Sequence, residues 1–87
     1  MTLLFPNPSR SFDDFEAGVR FIGYDGMISV PFVIEKSALE QMGAIATTEA
    51  SLLTAFDASR KMIYAVACKI YGQARQTSYR IKLQDMG

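Results

Sequence analysis

Val19-Arg20-Phe21-Ile22-Gly23-Tyr24-Asp25-Gly26-Met27-Ile28-Ser29-Val30-Pro31-Phe32-Val33-Ile34 is the stretch that decides the fold. Two runs rich in β-branched and aromatic residues flank Asp25-Gly26, a pair suited to a type I′ turn, whose two central residues both need positive φ. The spacing predicts a β-hairpin with a two-residue loop. In that register Tyr24 faces Met27, Gly23 faces Ile28, Ile22 faces Ser29, Phe21 faces Val30, Arg20 faces Pro31 and Val19 faces Phe32. One side then carries only apolar residues, Val19, Phe21, Ile28, Val30 and Phe32, and is the expected core. The other is mixed: Arg20, Ile22, Tyr24, Met27, Ser29 and Pro31. Pro31, without an N–H, suits an edge strand, a bulge or a position whose amide points outward.

Upstream, Leu3-Leu4-Phe5 reads as a short edge strand before a turn-rich opening of Pro6, Asn7, Pro8 and Ser9. Asp13-Asp14-Phe15-Glu16 has the spacing of one capped helical turn, stopped by Gly18. Downstream, Ser37-Ala38-Leu39-Glu40 has capping-box spacing, and Gly43 can end that helix. A longer helix starts at Thr47 or Thr48, with Glu49 near its positive end, and runs to Gly72. Leu52, Leu53, Phe56, Ile63, Ala67 and Ile70 form its apolar stripe. A second line, Tyr64, Cys68 and Tyr71, calls for cover from another element or from a partner. Residues 78–83 alternate strictly, which predicts a strand with Tyr79, Ile81 and Leu83 inward and Arg80 and Lys82 on the mixed side. The expected architecture is α+β: a two-layer single domain over residues 1–87, with two helices on one face of an antiparallel sheet of three or four strands.

Composition narrows the function. Of 87 residues, 49% are hydrophobic and 21% charged, as in an ordinary globular chain and unlike a disordered one. Histidine is absent, which removes imidazole metal sites and the commonest acid/base catalyst. The single cysteine, Cys68, precludes an internal disulfide and a cysteine-rich zinc site. Its apolar surroundings favour a buried packing role. No export signal or membrane span is read, so a cytoplasmic protein is expected. Charge is unevenly spread: residues 1–57 hold three basic and eight acidic residues, residues 58–87 six basic and one acidic. Gly23-Tyr24-Asp25-Gly26 matches the G-x-x-G of nucleic-acid-gripping KH loops, but it closes a hairpin and contains an acid that would repel phosphate. Asp13, Asp14 and Glu16 lack the ligand spacing of a calcium loop. No cofactor or metal site, and no catalytic residue, is assigned.

The order Phe5-Pro6-Asn7, Val19-Arg20-Phe21, Asp25-Gly26, Val30-Pro31-Phe32, Ala38-Leu39, a helix between Leu53 and Ala67, and Ser78-Tyr79 resembles the small bacterial family catalogued as domain of unknown function 1488. The likeness covers nearly the whole chain. It implies a compact two-layer α+β domain and brings no reaction, ligand or site residue.

The leading expectation is a non-enzymatic interaction module, homodimeric or bound to a protein partner, that uses the mixed sheet face or the Tyr64/Cys68/Tyr71 line. Its contact residues are Arg20, Ile22, Tyr24, Met27, Arg80 and Lys82. The alternative is a small nucleic-acid-binding or regulatory protein, in which Arg20, Arg80 and Lys82 neutralise phosphates while Tyr24 stacks on a base. No membrane partner is expected.

Overall fold

The structure, a computed structural model, describes residues 3–6, 8–44, 48–73 and 76–85. The elements run β1 (Leu3–Leu4), β2 (Arg10–Asp13), β3 (Gly18–Asp25), β4 (Ile28–Glu35), α1 (Lys36–Gln41), α2 (Glu49–Ala58), α3 (Arg60–Gln73) and β5 (Tyr79–Ile81), with a last 3-10 turn at Leu83–Asp85. The α+β class and the layer of helices on one sheet face agree with the sequence reading. The sheet itself differs from it, having five strands and mixed direction. β1 and β2 both lie antiparallel along one edge of β3, β4 lies along the other, and β5 joins β4 in parallel. Parallel pairing follows from the route of the chain, because three helices carry it back across the sheet before β5 begins.

The hairpin forms in a register displaced from the expected one. Asp25 pairs with Ile28, Tyr24 with Ser29, Ile22 with Pro31, Phe21 with Phe32 and Val19 with Ile34. The loop is therefore Gly26-Met27. Gly26 has φ +62° and Met27 is not among the positive-φ residues, the φ pattern of a type II′ turn rather than I′. Each strand has moved by one residue, so the pairs change while every side chain keeps its face. Val19, Phe21, Val30, Phe32 and also Ile34 are buried as a result. Ile28 is not: it sits beyond the helices' reach at the loop end and is 65% exposed.

Helix ends follow the local chemistry only in part. Thr48 caps α2, its Oγ1 accepting the Ser51 N–H at 3.3 Å. The alternative start, Thr47, lies outside the described residues. Gly43, at φ +114°, follows α1 as expected. The capping box does not form, since α1 begins at Lys36, before Ser37, and its first residue donates instead to the Ala17 carbonyl at 3.1 Å. The long helix divides at Ser59, which takes φ −115°, yet hydrogen bonds cross the break from Ser59 N–H to Ala55 O and from Ile63 N–H to Ser59 O. The division is thus a kink. Residues 13–16 form no capped helix. Residues 14–17 are the loop joining β2 to β3, with Asp13 Oδ1 accepting the Glu16 N–H at 3.0 Å. The last strand stops at Ile81, which leaves Leu83 in the 3-10 turn and exposed rather than inward.

Leu52 and Phe56 of α2 and Ile63, Ala67 and Tyr71 of α3 are buried against Phe21, Phe32, Ile34, Tyr79 and Ile81. The second helical line is covered by this chain's own N-terminal segment. Phe5 stacks on Tyr64 at a centroid separation of 4.0 Å and also touches Phe21 and Phe32. Gly23 makes this seat, because a Cβ there would stand 2.8 Å from the Phe5 ring and 3.1 Å from Leu3. Tyr71 donates its hydroxyl to Asp25 Oδ2 at 2.5 Å, tying the hairpin tip to α3. Gly23→Ala is expected to cost about 1–3 kcal/mol by overpacking and to loosen β1. Amide hydrogen exchange checks this, and unchanged protection of Leu3 and Leu4 at unchanged stability would refute the seat.

Candidate functional site

The helices occupy one side of the sheet, which leaves the other open. By strand parity and register that open side carries Leu4, Ser11, Asp13, Arg20, Ile22, Tyr24, Ser29, Pro31, Val33 and Arg80. Of the sequence-selected residues, Arg20, Ile22, Tyr24 and Arg80 come together there. Met27 does not join them; it sits in the hairpin loop, fully exposed at one end of the sheet. Lys82 lies just past β5, its backbone N–H donating to Asp85 Oδ2 at 2.9 Å. Leu4 and Val33 were not selected from the sequence. Leu4 reaches this side only through its pairing with Tyr24, and Val33 through its pairing with Arg20.

Two adjoining hollows mark the face. The first, about 330 Å³, is walled by Ser11, Asp13, Arg20, Ile22, Tyr24 and Pro31. The second, about 320 Å³, extends toward Val33, Tyr79 and Arg80. The first arises from a break in the sheet edge. Two residues separate Phe21 from Tyr24 on β3, whereas five separate their partners Leu4 and Arg10, so β1 and β2 do not form one continuous strand. Phe5, inside that interval, turns to the helix side.

The cations of the face pair within the chain, Arg80 on both terminal nitrogens and Arg20 on one. Arg80 donates to Glu35 Oε2 at 3.0 Å, to the Glu16 carbonyl at 3.1 Å, and through its other terminal nitrogen to the Glu16 carboxylate. Arg20 donates to Asp13 Oδ2 at 3.1 Å. The hydrogen bond from the Glu16 amide chiefly holds the Asp13 carboxyl below its ordinary pKa, desolvation opposes it, and the Arg20 guanidinium adds to the lowering. Two arginines thus meet three carboxylates, and the face offers polyanions no net attraction.

A family model described as a protein of unknown function, DUF1488, matches residues 3–83, from β1 into the final 3-10 turn. The chain belongs to the DUF1488 family. No curated protein and no solved structure matches it.

Elsewhere on this DUF1488 domain, Asp57 joins the N-terminal half to the α2–α3 kink. Arg10 grips it with two nitrogens at 3.1 and 2.8 Å, and Arg60 adds a third contact at 2.5 Å. Arg60 also donates to Tyr64 Oη at 2.6 Å and to the Pro8 carbonyl at 3.0 Å. The Arg10 hydrogen bonds chiefly, then those of Arg60, hold Asp57 below its ordinary pKa. A carboxyl depressed in the folded state adds stability above its unfolded pKa, about 3.9, and loses it as pH falls through the folded value. The melting temperature is therefore expected to hold down to about pH 5 and fall below about pH 4. Asp57→Asn should flatten this acid limb while lowering the neutral plateau slightly, because the pair is half-exposed and screened. An unchanged acid limb in thermal melts would show that Asp57 plays no part.

Cys68 is exposed, not the buried packing residue expected from its apolar neighbours. α3 turns it to the edge of the N-terminal segment, with Sγ 3.9 Å from the Leu3 carbonyl, and this partial desolvation pushes its thiol pKa up, away from nucleophilic use. Among the described residues no group of acidic or sulfur ligands is arranged to hold a metal, and no helix is long and apolar enough to cross a membrane.

Proposed function

We propose that this chain is a non-enzymatic interaction module whose open sheet face binds a second copy of itself, in a bacterial cytoplasm. The observation that carries the reading is the face itself: Leu4 and Ile22 are exposed and Tyr24, Pro31 and Val33 part-exposed beside them, while Arg20 and Arg80 pair with carboxylates of the same chain. An apolar surface gains from burial against another such surface, and a two-fold pair sets the same patch against itself. The other surface weighed from the sequence, the Tyr64/Cys68/Tyr71 line, is largely taken by Phe5 and Leu3.

Sedimentation velocity across a dilution series tests the proposal. A reversible dimer is expected whose dissociation changes little between about 50 and 200 mM salt, with Ile22→Glu shifting it to monomer at unchanged helicity. Monomer mass at every concentration would overturn it. The alternative, a nucleic-acid or regulatory role for Arg20, Tyr24, Arg80 and Lys82, predicts instead steeply salt-dependent binding of labelled RNA or DNA that drops on Arg80→Ala.

A further inference from the structure

The loop of residues 14–17 is held on every side, yet it presents a bare aromatic ring. Asp13 Oδ1 accepts the Glu16 N–H at 3.0 Å, Asp14 O accepts the Ala17 N–H at 3.3 Å, and Ala17 O accepts the Lys36 N–H at 3.1 Å. Arg80 binds both the carbonyl and the carboxylate of Glu16. Ala17 has φ +56°, a conformation that a residue with a Cβ keeps only where its surroundings impose it. Within this fixed frame Phe15 is 95% exposed. A large apolar side chain on a backbone that has already lost its freedom is a preorganised anchor, since little further entropy is lost when it docks.

We infer that Phe15 of one copy inserts into the first open-face hollow of a second copy, and reciprocally, so that this aromatic anchor fixes the homodimer. The inference rests on the open-face dimer proposed above and names its anchor. Area supports it. The strands of the face hold 2, 4, 8, 8 and 3 residues, which at a rise of ~3.3 Å and a spacing of ~4.8 Å give about 400 Å² per copy and about 800 Å² in all, below the roughly 1,000 Å² lower bound for a specific interface. Two buried phenylalanine rings add about 150–250 Å² each, which carries the pair clear of that bound. The hollow, about 330 Å³ and walled by Ile22, Tyr24 and Pro31, offers apolar and ring surfaces to a ring. Charge agrees as well. Asp14 adjoins Phe15, and Arg20 at the hollow's wall is 55% exposed and uses one terminal nitrogen on Asp13. From Gly18, where the loop ends, to Ile22 is about 13 Å along β3. A two-fold axis crossing β3 near Arg20 therefore brings each loop over the other copy's hollow.

Phe15→Ser on the full chain is the test, with thermal melts to confirm that the fold is intact, as expected for so exposed a residue. The dimer dissociation constant should rise roughly thirtyfold or more. In a second measurement, F15C/C68S and I22C/C68S are mixed under mild oxidation, and a covalent heterodimer is expected from the mixture. A dimer broken by Ile22→Glu but untouched by Phe15→Ser, with no mixed disulfide, would overturn the anchor and leave the open-face dimer standing. Monomeric wild-type protein would overturn both.

Discussion

Phe56→Ala is expected to lower the unfolding free energy by about 3–5 kcal/mol. Phe56 is fully buried on α2, its ring 5.2 Å from that of Phe21 on β3, with the Arg60 guanidinium 5.0 Å from its centroid. Truncation would remove ring contacts to both layers at once and leave a void that the kinked helices cannot close without parting from the sheet. Domains of this size have only about 5–15 kcal/mol in hand, so the variant should populate unfolded chain in low urea. Phe56→Leu should recover most of the loss by refilling the space. A urea titration reads both variants, and a loss below about 1 kcal/mol for the alanine would exclude the helix-on-sheet packing described above.

Gly18→Ala is the second large effect, and it works through backbone rather than through a void. A Cβ on Gly18 would lie 2.3 Å from the Ile34 carbonyl oxygen and 2.9 Å from Val33 Cγ1. The first of these neighbours is main chain inside the β3–β4 ladder, so it cannot swing aside. Gly18 pairs with both Asp13 and Glu35, which makes it the point where three strands meet. The expected cost is about 3 kcal/mol, at the upper end for overpacking. It should appear as a lower urea midpoint and as faster exchange of the amides of residues 18–20. A variant as stable as the parent would mean that β3 and β4 stand further apart at this end.

The sequence discloses which way side chains face better than it discloses what they meet. Alternation at Val19, Phe21, Val30 and Phe32 assigns the core side of the hairpin, and a shift of one residue on each strand leaves that assignment intact. Asp25-Gly26 favours a turn locally, whereas Asp25 lies in the strand, its carboxylate accepting the hydroxyl of Tyr71 from far along the chain. The direction of β5 has no local signature, since alternation at Tyr79 and Ile81 is the same in parallel and antiparallel pairing. At the candidate site, Arg20, Ile22, Tyr24 and Arg80 share a face as their parity implies. The pairing of Arg80 with Glu16 and Glu35, 64 and 45 residues away, is invisible to any local pattern. Phe15, a single phenylalanine among acids, has the local pattern of a helical turn, whereas residues 14–17 are a loop.

The parallel pairing of β5 also sets an order of assembly. The hairpin of β3 and β4 closes over a two-residue loop, but Phe32 meets Tyr79 and Ile34 meets Ile81 only at a separation of 47 positions. A nascent chain emerging N-terminus first would therefore carry a sheet whose outer column is missing, with Phe32 and Ile34 bare along one margin, until residues 79–81 were made. Closing so long a loop is slow relative to hairpin formation, and the final docking of Tyr79-Arg80-Ile81 becomes the step that commits the domain to its native core.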